Sequence, residues 1–434
     1  MLYERWREIA AGRRNETALH EAATGRRWTF GQLFLEGEHL RGAASCRFIA
    51  PPGHRDAEGR GGRQVVFPSG HAPEFIFQLL AAWRDNKIAC PLEPGHETPL
   101  ISSAPEGCVQ FKRTSATAGA PRLVSFDAEQ LAADADQIVK TMGLRQDWPN
   151  LAVISLPHSY GFSNLVLPLL LHGIPLLLAP SPLPEAVRRA AEMAMAVTIP
   201  AVPAMWRAWH QAGAIPANVA LAISAGAPMP LNLERDIFDA TGLKVHNFLG
   251  ASECGGMAYD ASAVPRDDAA LAGAPMQNAD LSVGDDGCLL VRGPAVGQTY
   301  WPEASPALAD GCFHSRDLAE LRDGRVFLRG RLDDLINVAG RKVSPQTIEN
   351  ELLANPKVSE CLVLGVPDLD RTETIAAIVV SDAGESELRK FLSDKLPAWQ
   401  VPREWRFVES LSVNARGKIS RVEWRKRLQP AERG

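Results

Sequence analysis

The sequence predicts an α/β fold: a large N-terminal domain of parallel and mixed sheets flanked by helices, with a small β-rich subdomain, followed by a small α+β C-terminal domain. Two observations carry this prediction. From Leu151 to Gly250, short apolar runs alternate with segments of helical length, which is typical of crossover units in a mostly parallel sheet. After Asp260, apolar stretches stand beside Asp-Gly pairs, a pattern that indicates hairpin turns.

The elements of the alternating region follow from length and apolar content. The runs LAVISLP, IPLLLAP, VTIPAVP, LAISAGA and LKVHNFLG predict strands. Between them, NLVLPLLLHG, PEAVRRAAEMA, AMWRAWHQAG and LERDIFDATG predict helices. Pro168 should distort the first helix, Pro184 lies near the first turn of the second, and Gly242 should end the last. Ligands of such sheets bind at the carboxyl ends of the strands.

A last unit begins near Arg331. Ser344 is expected to cap a helix that starts at Pro345 and buries Ile348 and Leu352. The segments CLVLGVPD and TIAAIVVSD predict strands, and ESELRKFLSDKL repeats apolar residues at helical spacing. About a hundred residues of mixed α and β structure are enough for a small domain.

Composition excludes several classes of protein. The 434 residues carry 46 Lys and Arg against 51 Asp and Glu, a net charge of −5, which argues against nucleic-acid binding. The longest apolar stretch, residues 165–180, is interrupted by His172, Pro168 and Pro175, so it predicts buried core rather than a transmembrane segment. Seven cysteines without a CxxC pair suggest neither disulfides nor zinc. The first residues lack the apolar centre of a signal peptide, and a cytoplasmic location is therefore expected.

A hydroxyl-rich loop is the first candidate for chemistry. The segment TSATAGAPR contains Thr114, Ser115, Thr117, Gly119 and Arg122. Hydroxyls and backbone N–H groups around a glycine can surround phosphate oxygens, and an arginine adds a fixed charge. The spacing is not that of a GxxxxGK[ST] loop. Taken alone, the segment fits a plain surface loop better.

Three further segments carry charged groups where loops are expected. Glu253 follows a predicted strand, where a carboxylate suits Mg²⁺, although a capping or loop glutamate is equally consistent. Asp317 and the stretch from Arg331 to Asp334 could hold a ribose through its hydroxyls or form surface ion pairs. Lys418 follows a glycine near the C-terminus, where it could reach an anion or remain solvated.

Together, these segments resemble one family, the adenylate-forming enzymes, in its acyl- and aryl-CoA synthetase branch. The phosphate loop TSGTTGxPKGV of that family corresponds to TSATAGAPRLV, and YGxTE corresponds to LGASE at 249–253. The stretch TGDL…GRxDDxI…GxxIxPxEIE appears as SRDL and GRLDDLINVAGRKVSPQTIE, and GKxxR appears as GKISR at 417–421. PHSYG at 157–161 resembles the HxxG segment before the acid pocket.

The resemblance implies an architecture and a set of roles. An N-terminal domain, residues 1–332, would hold ATP and the acid, and a mobile C-terminal domain, residues 333–434, would turn about Asp333. Lys418 would contact the carboxylate and the α-phosphate, and after rotation the loop around Gly340 would admit a pantetheine thiol. The resemblance implies that Lys418 and Glu253 are catalytic and that Glu253 holds Mg²⁺. The implied nucleotide-binding residues are Thr114, Ser115, Thr117, Gly119, Arg122, Leu249, Ser252, Asp317 and Arg331.

The chain departs from the pattern of the family at several positions. Ala116, Ala118 and Arg122 replace Gly, Thr and Lys of the phosphate loop, and Leu249 replaces the tyrosine of YGxTE. Arg316 stands before Asp317, where the pattern has a glycine. The chain is also short between residues 94 and 114, where most members carry a further strand and helix.

The implied function is ATP-dependent activation of a carboxylic acid, then transfer to the thiol of CoA or of a carrier protein. The acid pocket is expected to be apolar and partly aromatic, which suits an aryl or medium-chain acyl group; its predicted residues are His158, Phe162, Val202, Trp206, Ala225, Gly226, Phe248 and Gly255. Core packing is an alternative role for Phe162 and Trp206. Two other functions stay open: a transferase that uses preformed acyl-adenylate, and a non-catalytic binder of adenylates or acyl groups.

Overall fold

The structure is a computed structural model that describes residues 1–40, 64–114, 121–368, 372–411 and 421–428. Its helices are α1 (Leu2–Gly12), α2 (Phe30–His39), α3 (Pro73–Arg84), α4 (Ala128–Met142), α5 (Ser159–Gly161), α6 (Leu167–His172), α7 (Pro184–Ala191), α8 (Pro203–Gln211), α9 (Leu231–Thr241), α10 (Pro345–Leu353), α11 (Glu385–Ser393) and α12 (Arg421–Leu428). A π-helical segment (Phe162–Val166) joins α5 to α6, and a 3-10 turn (Leu332–Asp334) follows the last strand of the first part.

The strands of the first part are β1 (Thr17–Glu21), β2 (Arg27–Thr29), β3 (Val65–Val66), β4 (Ile88–Ala89), β5 (Gln110–Arg113), β6 (Leu123–Phe126), β7 (Asn150–Ala152), β8 (Leu176–Leu178), β9 (Val197–Ala201), β10 (Val219–Ser224), β11 (Val245–Ala251), β12 (Gly255–Tyr259), β13 (Leu271–Pro275), β14 (Asp280–Val283), β15 (Cys288–Arg292), β16 (Thr299–Trp301), β17 (Leu308–Ala309), β18 (Cys312–Arg322) and β19 (Arg325–Arg331). The remaining strands are β20 (Ile336–Val338), β21 (Arg341–Val343), β22 (Val358–Asp368), β23 (Thr372–Ser381) and β24 (Glu404–Phe407).

The predicted parallel sheet is confirmed. Strands β1, β8, β7, β9, β10 and β11 are neighbours in that order, and each adjacent pair is parallel. The four predicted helices between these strands form as well. Because parallel strands end at the same edge of a sheet, the loops after β7, β9, β10 and β11 are brought together.

The sheet continues beyond β11 as the predicted antiparallel region. Strands β12, β13, β19, β18, β15 and β14 extend it, with β17 pairing beside β18. The predicted Asp-Gly turns form at Asp310-Gly311 and Asp323-Gly324, where both residues of each pair have positive φ. Such backbone angles are those of type I′ turns, which match the twist of a hairpin.

Pro168 distorts its helix as expected, and the structure shows how the cost is offset. A proline cannot donate to the carbonyl four residues earlier, which here belongs to Asn164. The side-chain amide of Asn150, at the start of β7, donates to that carbonyl at 3.1 Å. The π-helical segment lies directly before the proline, so the irregularity is satisfied by a hydrogen bond to the central sheet.

Residues after the 3-10 turn form a second hydrophobic core. The main core contains buried residues from Leu2 to Val326, and the second contains residues from Ile336 to Trp405. Ile348 and Leu352 of α10 are fully buried in the second core, as predicted. None of the helices in the described part of the chain combines the length and apolarity that a membrane crossing requires.

One detail of the prediction is wrong. Ser344 occupies the N-cap position of α10, but its side chain makes no capping hydrogen bond. Its hydroxyl is buried beside Gly330, where an added Cβ would lie 1.9 Å from the Ser344 oxygen. Tight packing between β19 and the start of α10 therefore takes the hydroxyl away from the helix end.

Candidate functional site

The predicted phosphate loop is closed at its base by two hydrogen bonds. Strands β5 and β6 pair in an antiparallel manner, and the loop begins at Thr114 and ends before Arg122. The Thr114 N–H donates to the Arg122 carbonyl at 2.9 Å, and the Arg122 N–H donates to the Thr114 hydroxyl oxygen at 3.0 Å. The predicted residues Ser115, Thr117 and Gly119 lie outside the described residues.

Glu253 and Arg122 meet at a residue that the sequence analysis missed, Tyr300. The Tyr300 hydroxyl donates to Oε1 of Glu253 at 3.0 Å. The Arg122 guanidinium lies over the Tyr300 ring, 3.5 Å from its centroid, a cation–π contact. Tyr300 reaches this point because β16 pairs with β6, which places it opposite Val124. No local pattern in the sequence marks this tyrosine.

Burial and the neighbouring positive charges shift the pKa of Glu253 in opposite directions. Desolvation raises the pKa of its carboxyl, while the Tyr300 hydrogen bond and the charges of Arg122 and Arg331 lower it in part. Burial and the adjacent Glu253 raise the pKa of Tyr300, which keeps its hydroxyl a hydrogen-bond donor. A carboxylate has about four acceptor positions, so one hydrogen bond from Tyr300 leaves Glu253 able to bind a hard cation. The site therefore fits the predicted Mg²⁺.

Replacing Tyr300 with phenylalanine should move the acid limb of the activity profile. The hydrogen bond that lowers the Glu253 pKa would be lost, so Glu253 would become protonated at a higher pH than in the wild type. We expect the limb to shift to higher pH, as measured by ATP–pyrophosphate exchange across pH. Tyr3→Phe is the matched control, because Tyr3 also donates to a glutamate, Glu38, elsewhere. A shift to lower pH would contradict this role.

Asp317 and Arg331 are paired across two strands. They face each other in the register of β18 and β19, with Nε of Arg331 3.6 Å from Oδ1 of Asp317. The charge of Arg331 also acts on Glu253. The structure therefore brings Glu253 to one region with Asp317 and Arg331 of a second segment, next to the base of the phosphate loop.

The segments HSYG and LGASE are joined by their serines. The Ser159 hydroxyl donates to the Ser252 hydroxyl at 2.9 Å. Leu249, three residues earlier, is partly buried and packs against the main core. His158 accepts a hydrogen bond at Nδ1 from the Tyr160 N–H at 3.3 Å, which leaves Nε2 as the protonated nitrogen if the ring is neutral.

Some of the predicted acid-pocket residues are neighbours. Ala225 and Phe248 belong to one hydrophobic cluster, and the Phe248 ring lies 5.9 Å from that of Tyr160. Gly226 has a positive φ, and a Cβ placed on it would lie 3.5 Å from Val202. These contacts agree with the predicted pocket walls, whose role in binding an acid stays a prediction.

Two predicted pocket residues are buried in the main core. Phe162 and Trp206 are 1% and 0% exposed. Trp206 donates through Nε1 to the Ile223 carbonyl at 3.1 Å and packs against Trp209 with ring centroids 5.0 Å apart. These contacts support the alternative stated above, in which both side chains stabilise the fold.

A glycine is required at position 255 because the Asp134 side chain lies against its backbone. Its φ is +67°, and an added Cβ would lie 2.0 Å from Oδ1 of Asp134. Asp134 is fully buried and pairs with Lys112 at 2.9 Å, and Ser163 donates to it at 2.5 Å. The sequence analysis missed this buried ion pair, which connects β5, the strand leading to the phosphate loop, with α4.

A cavity of about 430 Å³ lies at the carboxyl ends of β7 and β8. It is lined by His71, Glu93, Pro94, His96 and residues 153–155 and 179–182. None of the predicted acid-pocket residues lines it. A small neighbouring cavity shares Glu93 and His96 with it and is lined also by Arg113 and His158. The larger cavity lies where ligands of parallel sheets usually bind, at the carboxyl ends of the strands.

The segment that carries Lys418 lies outside the described residues, but its flanks are anchored. After it, Arg421 contacts both carboxylate oxygens of Glu349 at 2.8 and 2.9 Å and Asp334 at 3.2 Å. Before it, the Leu411 N–H donates to Glu360 at 2.9 Å. Asp333 lies in the 3-10 turn, and Gly340 is exposed.

Comparison with known proteins gives consistent results. A family model described as AMP-binding enzyme matches residues 86–301, and one described as AMP-binding enzyme C-terminal domain matches residues 347–418. Feruloyl-CoA synthase of Amycolatopsis sp is 30% identical over 341 residues, or 73% of this chain and 69% of that protein. Mitochondrial malonate–CoA ligase of Mus musculus is 37% identical over 155 residues, or 34% of this chain and 27% of that protein.

A solved structure shares the fold. The crystal structure of ATP-bound MatB from Rhodopseudomonas palustris superposes with a TM-score of 0.84, covering 98% of this chain and 99% of that one. The sequence identity is 19%. The likeness extends over nearly the whole length of both chains.

Proposed function

The chain belongs to the AMP-binding enzyme family, and we propose on this basis that it is an AMP-forming acid–thiol ligase. It activates a carboxylic acid with ATP as an acyl-adenylate and then transfers the acyl group to a thiol. The observation that supports this most directly is the meeting of Glu253, Arg122 and Tyr300 at the base of the phosphate loop. Asp317 and Arg331 lie in the same region.

In the first half-reaction, a carboxylate oxygen attacks the α-phosphorus of ATP and pyrophosphate leaves. Both reactants are anionic, so fixed positive charge is the main contribution that the protein can make. Arg122 and the phosphate loop would bind the phosphates, Asp317 would hold the ribose, and Lys418 would contact both reacting groups. Glu253 would hold Mg²⁺, which offsets phosphate charge.

In the second half-reaction, a thiolate attacks the acyl carbon, a thioester forms and AMP leaves. CoA serves as the thiol, and a carrier protein that presents the same phosphopantetheine is proposed as the alternative acceptor. The proposed domains are residues 1–332 and 333–434, with Asp333 as the hinge. The separate hydrophobic cores, which end at Val326 and begin at Ile336, support this division.

The proposed acid is an aryl or medium-chain acyl carboxylate. Ala225 and Phe248 belong to a buried apolar cluster, and Tyr160 of the HSYG segment packs against it. In the predicted pocket segment HSYGFSN no carboxylate is present to pair with an ammonium group. An amino acid is therefore a poor candidate.

The test is acid-dependent ATP–pyrophosphate exchange with Mg²⁺ over a panel of aryl, fatty and amino acids. We expect exchange with at least one aryl or medium-chain acid and none with amino acids. Silence across the panel would contradict the ligase. Preformed acyl-adenylates and thiol would then separate the other functions: thioester formation would indicate a transferase, and ligand-dependent stabilisation without turnover would indicate a binder.

A further inference from the structure

Arg316 holds the proposed hinge residue Asp333 through a two-point ion pair. Nε of Arg316 lies 3.1 Å from each carboxylate oxygen of Asp333, and a second guanidinium nitrogen contacts Oδ1. Each partner acts on the other, because Asp333 raises the pKa of Arg316 and Arg316 lowers that of Asp333. The planar guanidinium matches a carboxylate in this way, whereas a lysine would make a single contact.

The pair joins two parts of the chain. Arg316 lies on β18, which contributes Phe313 and Ala319 to the main core. Asp333 lies in the 3-10 turn, a few residues before the second core begins at Ile336. The contact therefore restrains the short connection between the two cores.

In the structure that contains the Arg316–Asp333 pair, the loop around Gly340 is exposed. Among the residues that the structure describes, none places an atom within 4 Å of a Cβ built on Gly340, apart from its own chain neighbours. Its N–H donates to Oδ1 of Asn337 at 2.9 Å, within the same turn. Gly340 is exposed, so the turn that carries it lies at the surface of the described part of the chain.

We propose that Arg316 is a clamp on the hinge, favouring the arrangement in which the Gly340 loop stays outside the active centre. The inference rests on the proposed function, since it takes Asp333 as the hinge between the two half-reactions. It explains the large cation at position 316, where the resemblance predicts a glycine. By holding Asp333, Arg316 slows the change to the thiol-accepting arrangement and leaves adenylate formation unimpeded.

The size of the effect follows from exposure. The side chains of Arg316 and Asp333 are 48% and 35% exposed, so solvent and salt weaken their attraction. An exposed pair of this kind changes an equilibrium by about two- to fivefold. The clamp is therefore a bias, which the binding of substrates can overcome.

The experiment compares Arg316→Gln with the wild type in each half-reaction. Thioester formation from preformed acyl-adenylate and CoA should rise about two- to fivefold, while ATP–pyrophosphate exchange should not rise. The rate of thioester formation in Arg316→Lys should lie between those of the wild type and Arg316→Gln. High salt should bring the wild-type rate towards that of Arg316→Gln. Arg329→Gln is the matched control, because Arg329 of β19 pairs with Glu320 of β18 at 2.6 Å with similar exposure.

The clamp would be overturned if Arg316→Gln changed both half-reactions equally or changed neither. It would also be overturned if Arg329→Gln produced the same change as Arg316→Gln. A wild type without either half-reaction would instead contradict the proposed function. A second measurement then decides the clamp independently: the distance distribution between labels at exposed Met195 and Ser386. Arg316→Gln should broaden or shift this distribution relative to the wild type and Arg329→Gln. Three identical distributions would overturn the proposal.

Discussion

Replacing Glu253 with glutamine is expected to lower ATP–pyrophosphate exchange by about 100-fold or more. The substitution keeps the shape and an oxygen that can accept from Tyr300, but it removes the negative charge that would hold Mg²⁺. Loss of the charge should also raise the Mg²⁺ concentration needed for half-maximal exchange by about tenfold or more. Titration of exchange with Mg²⁺ measures both effects.

Glu303→Gln is the matched control for this prediction. Glu303 is an exposed carboxylate three residues beyond Tyr300, so the variant makes the same change in charge close to the site. It should leave the Mg²⁺ titration unchanged. If Glu253→Gln titrated like the wild type, Glu253 would have no role in holding the cation.

Replacing Lys418 with alanine should separate the two half-reactions. The proposed contact of Lys418 with the carboxylate and the α-phosphate is made during adenylation, and loss of one such charge-stabilising donor costs about 10²–10³ in rate. Thioester formation from preformed acyl-adenylate should continue at nearly the wild-type rate. Rapid-quench measurement of each half-reaction checks the difference.

Lys426→Ala is the control for Lys418→Ala. Lys426 is an exposed lysine on α12, close to Lys418 in the sequence. It should change neither half-reaction. Equal losses in both half-reactions for Lys418→Ala would contradict the proposed role, because they would indicate general damage to the C-terminal region.

The fold after Leu151 could largely be predicted from local patterns. The alternation from Leu151 to Gly250 identified five of the six strands of the parallel sheet and the helices between them, because buried strands and helices have characteristic lengths and apolar spacing. The sixth strand, β1, lies in the first part of the chain, where no element was predicted. The Asp-Gly pairs identified turns for a similarly local reason, since glycine and aspartate tolerate positive φ. Ser344 was misjudged because a side chain at an N-cap position can be displaced by packing from a distant strand, here at Gly330.

Some residues of the candidate site could be selected from the sequence, and others could not. Residues in motifs, such as Glu253, Asp317 and Arg331, could be selected from the sequence, and the structure brings them to one region. Gly255 was assigned to the pocket, but its tight contact is with Asp134, which no motif contains. The sequence could not decide whether Phe162 and Trp206 line the pocket or pack in the core, because apolar residues have the same spacing in either role. The structure buries both.

From Leu151 onward, the sequence by itself determined most of the elements, their order and the later motif residues, because these depend on neighbours within a few positions. Only the tertiary structure decided which side chains meet across long separations. Tyr300 reaches Glu253 because β16 pairs with β6, and Arg316 reaches Asp333 because β18 and β19 run side by side. The first contact depends on pairing between remote strands, and the second depends on the register of a hairpin and the turn after it. Side-chain spacing along the chain encodes neither.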